Sequence, residues 1–193
     1  SDVLLDAPLA AEHRAHVRVI SDSARALLGM LNDILDFAKI DAQKLTLSPA
    51  PFDLRALAAS VVDMLRPAAA ARSVALSLEL ASDVPERLLG DDVRLRQVLV
   101  NLVSNAVKFT ERGAVTLRIS ARAVAGSGSD HEITFCVEDT GIGMAPDVIG
   151  RLFRPFEQAD GGITRRYGGS GLGLAISKQI VAAMGGEIGR AHV

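Results

Sequence analysis

The chain has few of the residues that mark several common classes of protein. Its 193 residues include no tryptophan, one tyrosine and one cysteine. One thiol forms no disulfide within the chain, and the four histidines show no metal-ligand spacing such as His-Glu-x-x-His. The formal net charge is only −2, without the basic surface that tracks a phosphate backbone. We therefore expect neither a disulfide scaffold, nor a histidine-rich metal site, nor a nucleic-acid partner.

Long apolar runs are also absent. No stretch approaches the roughly 20 residues of a membrane-spanning helix, and no basic-then-apolar signal segment opens the chain. What the sequence does contain is 49% hydrophobic and 23% charged residues. That composition is enough to bury a core, so we expect one compact domain with a smaller segment beside it and no membrane segment.

The N-terminal quarter has the pattern of a coiled-coil helix. Its apolar residues recur at alternating spacings of three and four, which favours packing against another helix. That partner is a truncated N-terminal helix, a second copy of the chain, or both, and a homodimeric bundle is the natural arrangement. His13 and His16 lie near its start, and neither is followed by an acidic residue that would orient it. We interpret both as ordinary polar residues. The seam comprises Val17, Ile20, Ala24, Leu27, Leu31, Ile34 and Ala38, with Leu28 and Leu35 beside it.

Strands and helices alternate after a proline-containing linker at residues 46–51, which indicates α/β layers. The second of these helices is capped by the stretch at residues 89–92 and runs to Phe109. The predicted elements are a strand at 52–54, a helix at 55–71 with Leu57, Val61, Met64 and Leu65 inward, a strand at 74–80, the helix to Phe109, strands at 114–124 and 131–138, a short helix within 146–153 and a helix after the glycines at 168–174.

One strand pattern stops at Asp139, which is followed by Thr140, Gly141, Ile142 and Gly143. A carboxylate at a strand end accepts hydrogen bonds and suits an amino group such as that of adenine, while glycines let backbone come close to a ligand. An Asp-Thr-Gly turn that merely closes a hairpin looks the same. This stretch by itself leaves both interpretations open.

The helix that ends at Phe109 carries a polar stripe beside its apolar one. Asn101, Asn105 and Lys108 share a face at spacings of four and three residues. Asparagine is a poor helix former, so two of them one turn apart need a reason. A carboxamide oxygen can bind Mg²⁺ and a lysine can meet a phosphate. The alternative is a solvated surface stripe.

The glycine-rich residues 168–174 precede the last helix. A helix N-terminus binds anions through its free backbone N–H groups and the positive end of its dipole. The strand that a dinucleotide fold needs is missing, as is the Gly-Lys-Ser/Thr of a P-loop, so both of those folds are excluded. Between Met144 and Gly169 the pattern weakens, as in a lid. Arg165 and Arg166 in this stretch either face solvent or meet phosphate.

Together these stretches resemble the catalytic and ATP-binding domain of bacterial sensor histidine kinases, of the kind common in hybrid two-component systems. Residues 94–110 resemble the family's asparagine box, and residues 139–143 its first glycine box. Residues 153–160 resemble the phenylalanine box and 168–176 the second glycine box. Upstream, residues 31–40 resemble the second helix of the family's dimerisation and phosphotransfer hairpin.

The resemblance implies an α+β fold, namely a two-layer α/β sandwich of the Bergerat ATP-binding type, preceded by a long helix from a truncated dimerisation hairpin. We expect residues 1–47 to form the helical segment and residues 48–193 the catalytic domain. The implied ligands are ATP and Mg²⁺, and the implied partners are a second copy of the chain and a response-regulator receiver domain. A cytoplasmic location is implied, in a parent protein with or without a membrane anchor.

The family's motifs also imply a role for each matched residue. Asn105 would hold Mg²⁺, Lys108 a phosphate and Asp139 the adenine amino group, while Phe109 would line the base pocket. The glycines would give close backbone approaches. The complete implied cofactor-binding set is Asn101, Asn105, Lys108, Phe109, Asp139, Gly141, Gly143, Arg166, Gly169, Gly171, Leu172 and Gly173.

The sequence departs from the family at both ends. The phosphoacceptor, a histidine followed by an acidic residue and Arg-Thr-Pro, is absent and would lie just before Ser1. We therefore expect no autophosphorylation within this chain. The family also adds two strands beyond the point where this chain ends at Val193, so we expect a sheet that is short of them.

Two other functions stay open. One is an ATP hydrolase or ATP-driven clamp like gyrase B subunits or MutL mismatch-repair proteins, and the other is a nucleotide-binding scaffold without catalysis. Those hydrolases carry a glutamate one helical turn before the metal asparagine, where it activates water as a general base. This chain has Asn101 at that position, and an amide cannot accept the proton.

Overall fold

The computed structural model describes residues 11–41, 45–124, 126, 130–157 and 171–189. The chain divides into two compact units, Ser1–Leu45 and Thr46–Val193. No helix within the described ranges is both long and apolar enough to cross a membrane. The domain boundary between residues 47 and 48 stays a prediction.

In its described residues, the first unit forms the long helix α1 at Ala11–Asp41. Large apolar residues of the predicted seam are exposed, namely Ile20 at 63%, Leu27 at 61%, Leu31 at 47% and Ile34 at 53% of their full accessible surface. Leu28 and Leu35 beside them are exposed as well. The helix therefore presents an apolar stripe of the kind that packs against a second helix.

The second unit alternates strands and helices as predicted, with one addition. A strand at Arg87–Gly90 was not expected, because these four residues show no alternation of apolar and polar side chains. In chain order the elements are β1 Ala50–Asp53, α2 Leu54–Ala70, β2 Val74–Leu80, β3 Arg87–Gly90, α3 Asp92–Phe109, β4 Gly113–Ala123, β5 His131–Asp139, α4 Pro146–Ile149 and α5 Gly173–Ala183.

The main sheet has the strand order β2-β4-β5. Strand β4 runs parallel to β2 and antiparallel to β5, so the sheet is mixed. The parallel pair requires a crossover connection, which passes through β3 and α3. Strands β1 and β3 form a separate antiparallel pair. In the β4–β5 register Val115 lies opposite Asp139, which places Asp139 at the end of β5 and at the edge of the ladder.

The core lies between the sheet and helices α2 and α3. Val115, Leu117 and Ile119 of the central strand β4 are completely buried, in the alternation expected of a strand with one covered face. They belong to one cluster with residues of α2 and α3 such as Val61 and Val103, which are also fully buried. Helices over one face of a mixed sheet form the two-layer sandwich that the sequence predicted. The prediction that Met64 points inward is wrong, since it is 57% exposed.

Two aspartates fix the starts of the long helices. Asp53 accepts a hydrogen bond from Ala56 N at 2.9 Å and caps α2. Asp91 caps α3 through Arg94 N at 3.0 Å and also accepts from Ser48 N at 2.9 Å. Burial of Asp91 raises its pKa, but the backbone donors of Ser48 and Arg94 outweigh burial, and the net pKa is lowered. This charged cap fixes the helix that carries the asparagine pair.

Candidate nucleotide-binding site

The two asparagines of α3 are joined to α5 by side-chain hydrogen bonds. Asn105 Nδ2 donates to Asn101 Oδ1 at 3.3 Å. Asn101 Nδ2 in turn donates to the hydroxyl of Ser177, on α5, at 2.8 Å. Both asparagines are half-buried and Ser177 is buried. The polar stripe predicted on α3 is therefore an interface between two helices at Asn101, and not a freely solvated surface.

The start of α5 is pressed against Asn101. A Cβ added to Gly173 would lie 2.5 Å from Asn101 Oδ1 and 3.1 Å from its Cγ. A side chain at this position would displace the Asn101 carboxamide, so the close approach favours glycine. Leu172, the residue before it, is only 1% exposed and anchors the turn in the protein. The N-terminus of α5, a site suited to anions, is thus held beside the asparagine pair.

The first glycine segment, residues 139–143, contacts the C-terminal end of α3. Ile142 N donates to the backbone oxygen of Phe109 at 3.2 Å. Gly141 N donates to Asp139 Oδ1 at 2.9 Å, so the carboxylate also orders its own turn. A Cβ on Gly141 would collide with the oxygen of Phe109 and lie 2.8 Å from Asp139 Oδ1. The turn after β5 is therefore closely packed on the C-terminal end of α3.

Thr140 joins the turn after β5 to strand β4 by hydrogen bonds. Its N–H donates to Ala114 O at 3.1 Å, and its Oγ1 accepts from Ala114 N at 3.0 Å. These bonds continue the β4–β5 ladder one residue beyond Asp139. The position of the Asp139 carboxylate is thereby set by the sheet.

A cationic corner lies at the C-terminal end of α3. Lys108 Nζ lies 5.0 Å from the centroid of the Phe109 ring, within range of a cation–π contact. Arg72, from the loop after α2, donates through Nη1 to the backbone oxygen of Lys108 at 2.9 Å. Burial, and secondly the charge of Arg72, lower the pKa of Lys108. Two cations held this close would both gain from a bound anion.

The turn after β5 and the start of α5 therefore both contact α3, the first at Phe109 and the second at Asn101. These positions are eight residues apart, which corresponds to about 12 Å along a helix axis. Asn105 and Lys108 lie between them. Of the remaining predicted residues, Gly143 and Gly171 have positive φ angles of 66° and 70°, a conformation that favours glycine. Arg166 and Gly169 lie outside the described residues.

Two residues of this site, Ser177 and Arg72, were not predicted from the sequence. Ser177 could have been noticed as a hydroxyl within the apolar stripe of α5, next to Ile176. Arg72 lies in a loop and gives no periodic signal. Across the described part of the chain, no three His, Cys, Asp or Glu side chains cluster as metal ligands.

Comparison with models of protein families matches residues 90–192, more than half of the chain, to the family described as histidine kinase-, DNA gyrase B-, and HSP90-like ATPase. The chain belongs to this ATPase family. The matched range contains α3, the first glycine segment and α5, which are the elements that assemble the candidate site.

Relatives within this family are sensor kinases. The chain is 47% identical over 190 residues to the sensory/regulatory protein RpfC of Xanthomonas campestris pv. campestris, covering 98% of this chain and 26% of that protein. It is 42% identical over 184 residues to the signal transduction histidine-protein kinase BarA of Escherichia coli K12, covering 95% and 20% respectively. The chain thus spans about a quarter or less of these relatives. The resemblance to sensor histidine kinases is confirmed.

The fold is shared with solved structures. Full-length ShkA in complex with AMPPNP superposes with a TM-score of 0.75 at 39% identity, covering 97% of this chain and 38% of that one. The predicted α+β sandwich is confirmed by this match. The Acinetobacter baumannii histidine kinase AdeS, at 24% identity and a TM-score of 0.65, shares the fold.

Proposed function

We propose that this chain is the ATP-binding catalytic part of a two-component sensor histidine kinase. It transfers the γ-phosphate of ATP to a histidine, for relay to an aspartate on a response-regulator receiver domain. The observation that carries the proposal is that the glycine turn after β5 and the start of α5 both lie against α3, at Phe109 and at Asn101. The names of its relatives and the AMPPNP complex of ShkA support it, because AMPPNP is an analogue of ATP.

Asp139 is the proposed adenine-binding residue. Its Oδ1 accepts from Gly141 N, so Oδ2 is the atom that would accept a hydrogen bond from the adenine amino group. The ladder and Thr140 hold the carboxylate at the sheet edge. Guanine presents a carbonyl oxygen at the equivalent position, and two acceptors repel. The site should therefore prefer ATP to GTP.

The triphosphate is proposed to lie along α3 toward the start of α5. The Asn105 nitrogen donates to Asn101, so its carboxamide oxygen is the group suited to Mg²⁺. Protein sites commonly give this ion one or two oxygen ligands and leave the rest to phosphate and water. Lys108 supplies positive charge. Its pKa is lowered in the chain, and a bound anion would raise it again. The backbone N–H groups that open α5 supply further donors.

The hydrolase alternative is disfavoured by the position of Asn101. Its carboxamide is occupied by Ser177 and Asn105, and an amide has no basic atom that could take a proton from water. A phosphoryl transfer enzyme needs positioning and charge stabilisation more than a base at this point. The lack of a general base at Asn101 is therefore compatible with transfer of the phosphoryl group to a histidine on another helix.

A labelling experiment separates the two activities. The chain is incubated with Mg²⁺, γ-labelled ATP and a separate helical hairpin that carries a phosphoacceptor histidine of the family pattern. We expect label on the hairpin histidine and none on His13 or His16, with little release of inorganic phosphate. Rapid phosphate release without labelled histidine would establish the hydrolase instead.

The exposed stripe of α1 is proposed to bind a second copy of the chain. Leu27, Leu31 and Ile34 are each about half exposed or more, at heptad spacing. The stripe gives a parallel or antiparallel helix a continuous apolar surface. The receiver-domain partner is proposed from the relatives, which are signal transduction kinases.

A further inference from the structure

Ser177 is a buried hydroxyl in an apolar part of α5. It is 2% exposed, and its neighbours Ile176 and Ile180 are equally buried. A buried hydroxyl is costly unless it is hydrogen-bonded. Its bond comes from another helix, since Asn101 Nδ2 donates to it from 76 residues earlier in the chain. The hydroxyl therefore holds a side chain of the candidate site in place.

The orientation of the Asn101 amide follows from its surroundings. Its Oδ1 lies against Gly173, the first residue of α5. The positive end of a helix dipole favours an oxygen there over an NH₂ group. With Oδ1 facing the helix start, Nδ2 is the atom directed to Ser177, one turn further along α5.

Asn101 passes this orientation on to Asn105. Its Oδ1 accepts from Asn105 Nδ2 at 3.3 Å, so the nitrogen of Asn105 is committed and its oxygen is the atom left for a cation. An Asn105 amide turned the other way would present N–H groups, which repel Mg²⁺. The two asparagines therefore have different roles. Asn101 sets the orientation of the Asn105 amide, and the Asn105 oxygen would bind the cation.

We propose that Ser177 is a positioning residue for the cation, which acts through Asn101 to fix the direction of the Asn105 carboxamide. The proposal rests on the proposed function for the identity of the ligand, Mg·ATP. The relay Ser177–Asn101–Asn105 consists only of the chain's own side chains. It can therefore be tested in the nucleotide-free protein.

The first test observes the asparagine side chains directly. In nucleotide-free protein labelled with ¹⁵N-asparagine, Ser177→Ala should shift the side-chain amide resonances of both Asn101 and Asn105. Ser104→Ala is the matched control, because Ser104 Oγ donates to the backbone oxygen of Asn101 at 3.1 Å and not to its side chain. The control should leave the Asn105 side-chain signal in place. An unchanged Asn105 signal in Ser177→Ala would overturn the relay.

The second test measures ATP affinity by calorimetry with and without Mg²⁺. Removing a group that orients a metal ligand commonly lowers metal affinity about 10-fold or more. Ser177→Ala should reduce the gain in affinity from Mg²⁺ by roughly that factor, with Mg²⁺-free binding unchanged. Ser177→Thr keeps the hydroxyl and should restore the gain. Equal losses with and without Mg²⁺, at an unchanged melting temperature, would overturn the positioning role.

The outcomes also separate this inference from the proposed function. A folded wild type whose ATP affinity gains nothing from Mg²⁺ would overturn both the proposed metal site and the role of Ser177 toward it. If Mg²⁺ increases the ATP affinity of wild type and of Ser177→Ala by the same factor, the inference alone is overturned. If Ser177→Ala does not fold, Ser177→Cys replaces it, since a thiol is a weak hydrogen-bond partner.

Discussion

Replacing Asp139 by asparagine is a sensitive test of how the adenine is recognised. The carboxylate carries out two tasks, since Oδ1 accepts from Gly141 N at 2.9 Å and Oδ2 is proposed to accept from adenine. Asparagine has nearly the same shape but offers one acceptor and one donor group. If its oxygen keeps the bond to Gly141, its NH₂ group faces the amino group of adenine. If it is turned over, the NH₂ group faces Gly141 N–H instead.

The size of the effect follows from these bonds. A hydrogen bond to a charged group contributes about 1.5–3 kcal/mol. A loss of this size corresponds to roughly 10- to 100-fold in the dissociation constant, because each 1.4 kcal/mol is tenfold. The turn keeps its bond in the unliganded protein, so the free energy of unfolding should change by less than about 1 kcal/mol. Asp139→Ala removes both bonds, so it should raise the dissociation constant for ATP and lower the free energy of unfolding.

The assay is calorimetric titration with ATP, paired with urea unfolding of the same samples. Asp139→Asn should bind ATP weakly while it unfolds at nearly the wild-type urea concentration. Thr140→Ser is a matched control, since it keeps the hydroxyl that bonds Ala114 and should bind ATP normally. Wild-type ATP affinity in Asp139→Asn would refute the reasoning.

Three further predictions concern other parts of the molecule. Asn105→Ala should weaken ATP binding in the presence of Mg²⁺, and a defect that persists unchanged with a chelator would contradict the metal assignment. Leu31→Asp should shift the chain toward monomer in sedimentation, and a wild type that is monomeric at high concentration would contradict the seam. Asp91→Ala should cost about 1–2 kcal/mol of unfolding free energy at neutral pH. Because the pKa of Asp91 is lowered on folding, its contribution is present above the ordinary aspartate pKa and is lost as the pH falls through the folded value. The difference in unfolding free energy between wild type and variant should therefore be smaller in acid than at neutral pH. An equal difference in acid and at neutral pH would contradict the charged cap.

The elements that could be predicted from the sequence are those with strong local signals. Helix α3 begins after a capping aspartate and ends at Phe109 as predicted, because the cap and the apolar stripe both specify its limits. Strand β2 matches its predicted range, Val74–Leu80, since its apolar residues alternate. Strand β3 could not be predicted, because its four residues are specified by pairing with β1 and not by their own pattern.

In the candidate site too, residues with a local sequence signal could be predicted, and contacts between distant residues could not. Asp139, Asn105 and Lys108 were predicted because their residue types are unusual for the positions they occupy. The contacts that position them join distant parts of the chain, such as Asn101 with Ser177 and Arg72 with the backbone of Lys108. Local periodicity carries no information about partners of this kind. They become visible only in the folded structure, where distant parts of the chain lie side by side.

The most direct test of the central claim is a titration of the ¹⁵N-labelled wild-type chain with Mg·ATP, followed by NMR. We expect saturable chemical-shift changes for the backbone amides of Gly141, Gly143 and Gly173 and for the side-chain amide of Asn105. Residues on the outer face of the sheet, such as Arg118 and Glu79, which form an exposed ion pair, should not shift. A folded chain that shows no saturable shifts, or shifts centred on that outer face, would contradict the account.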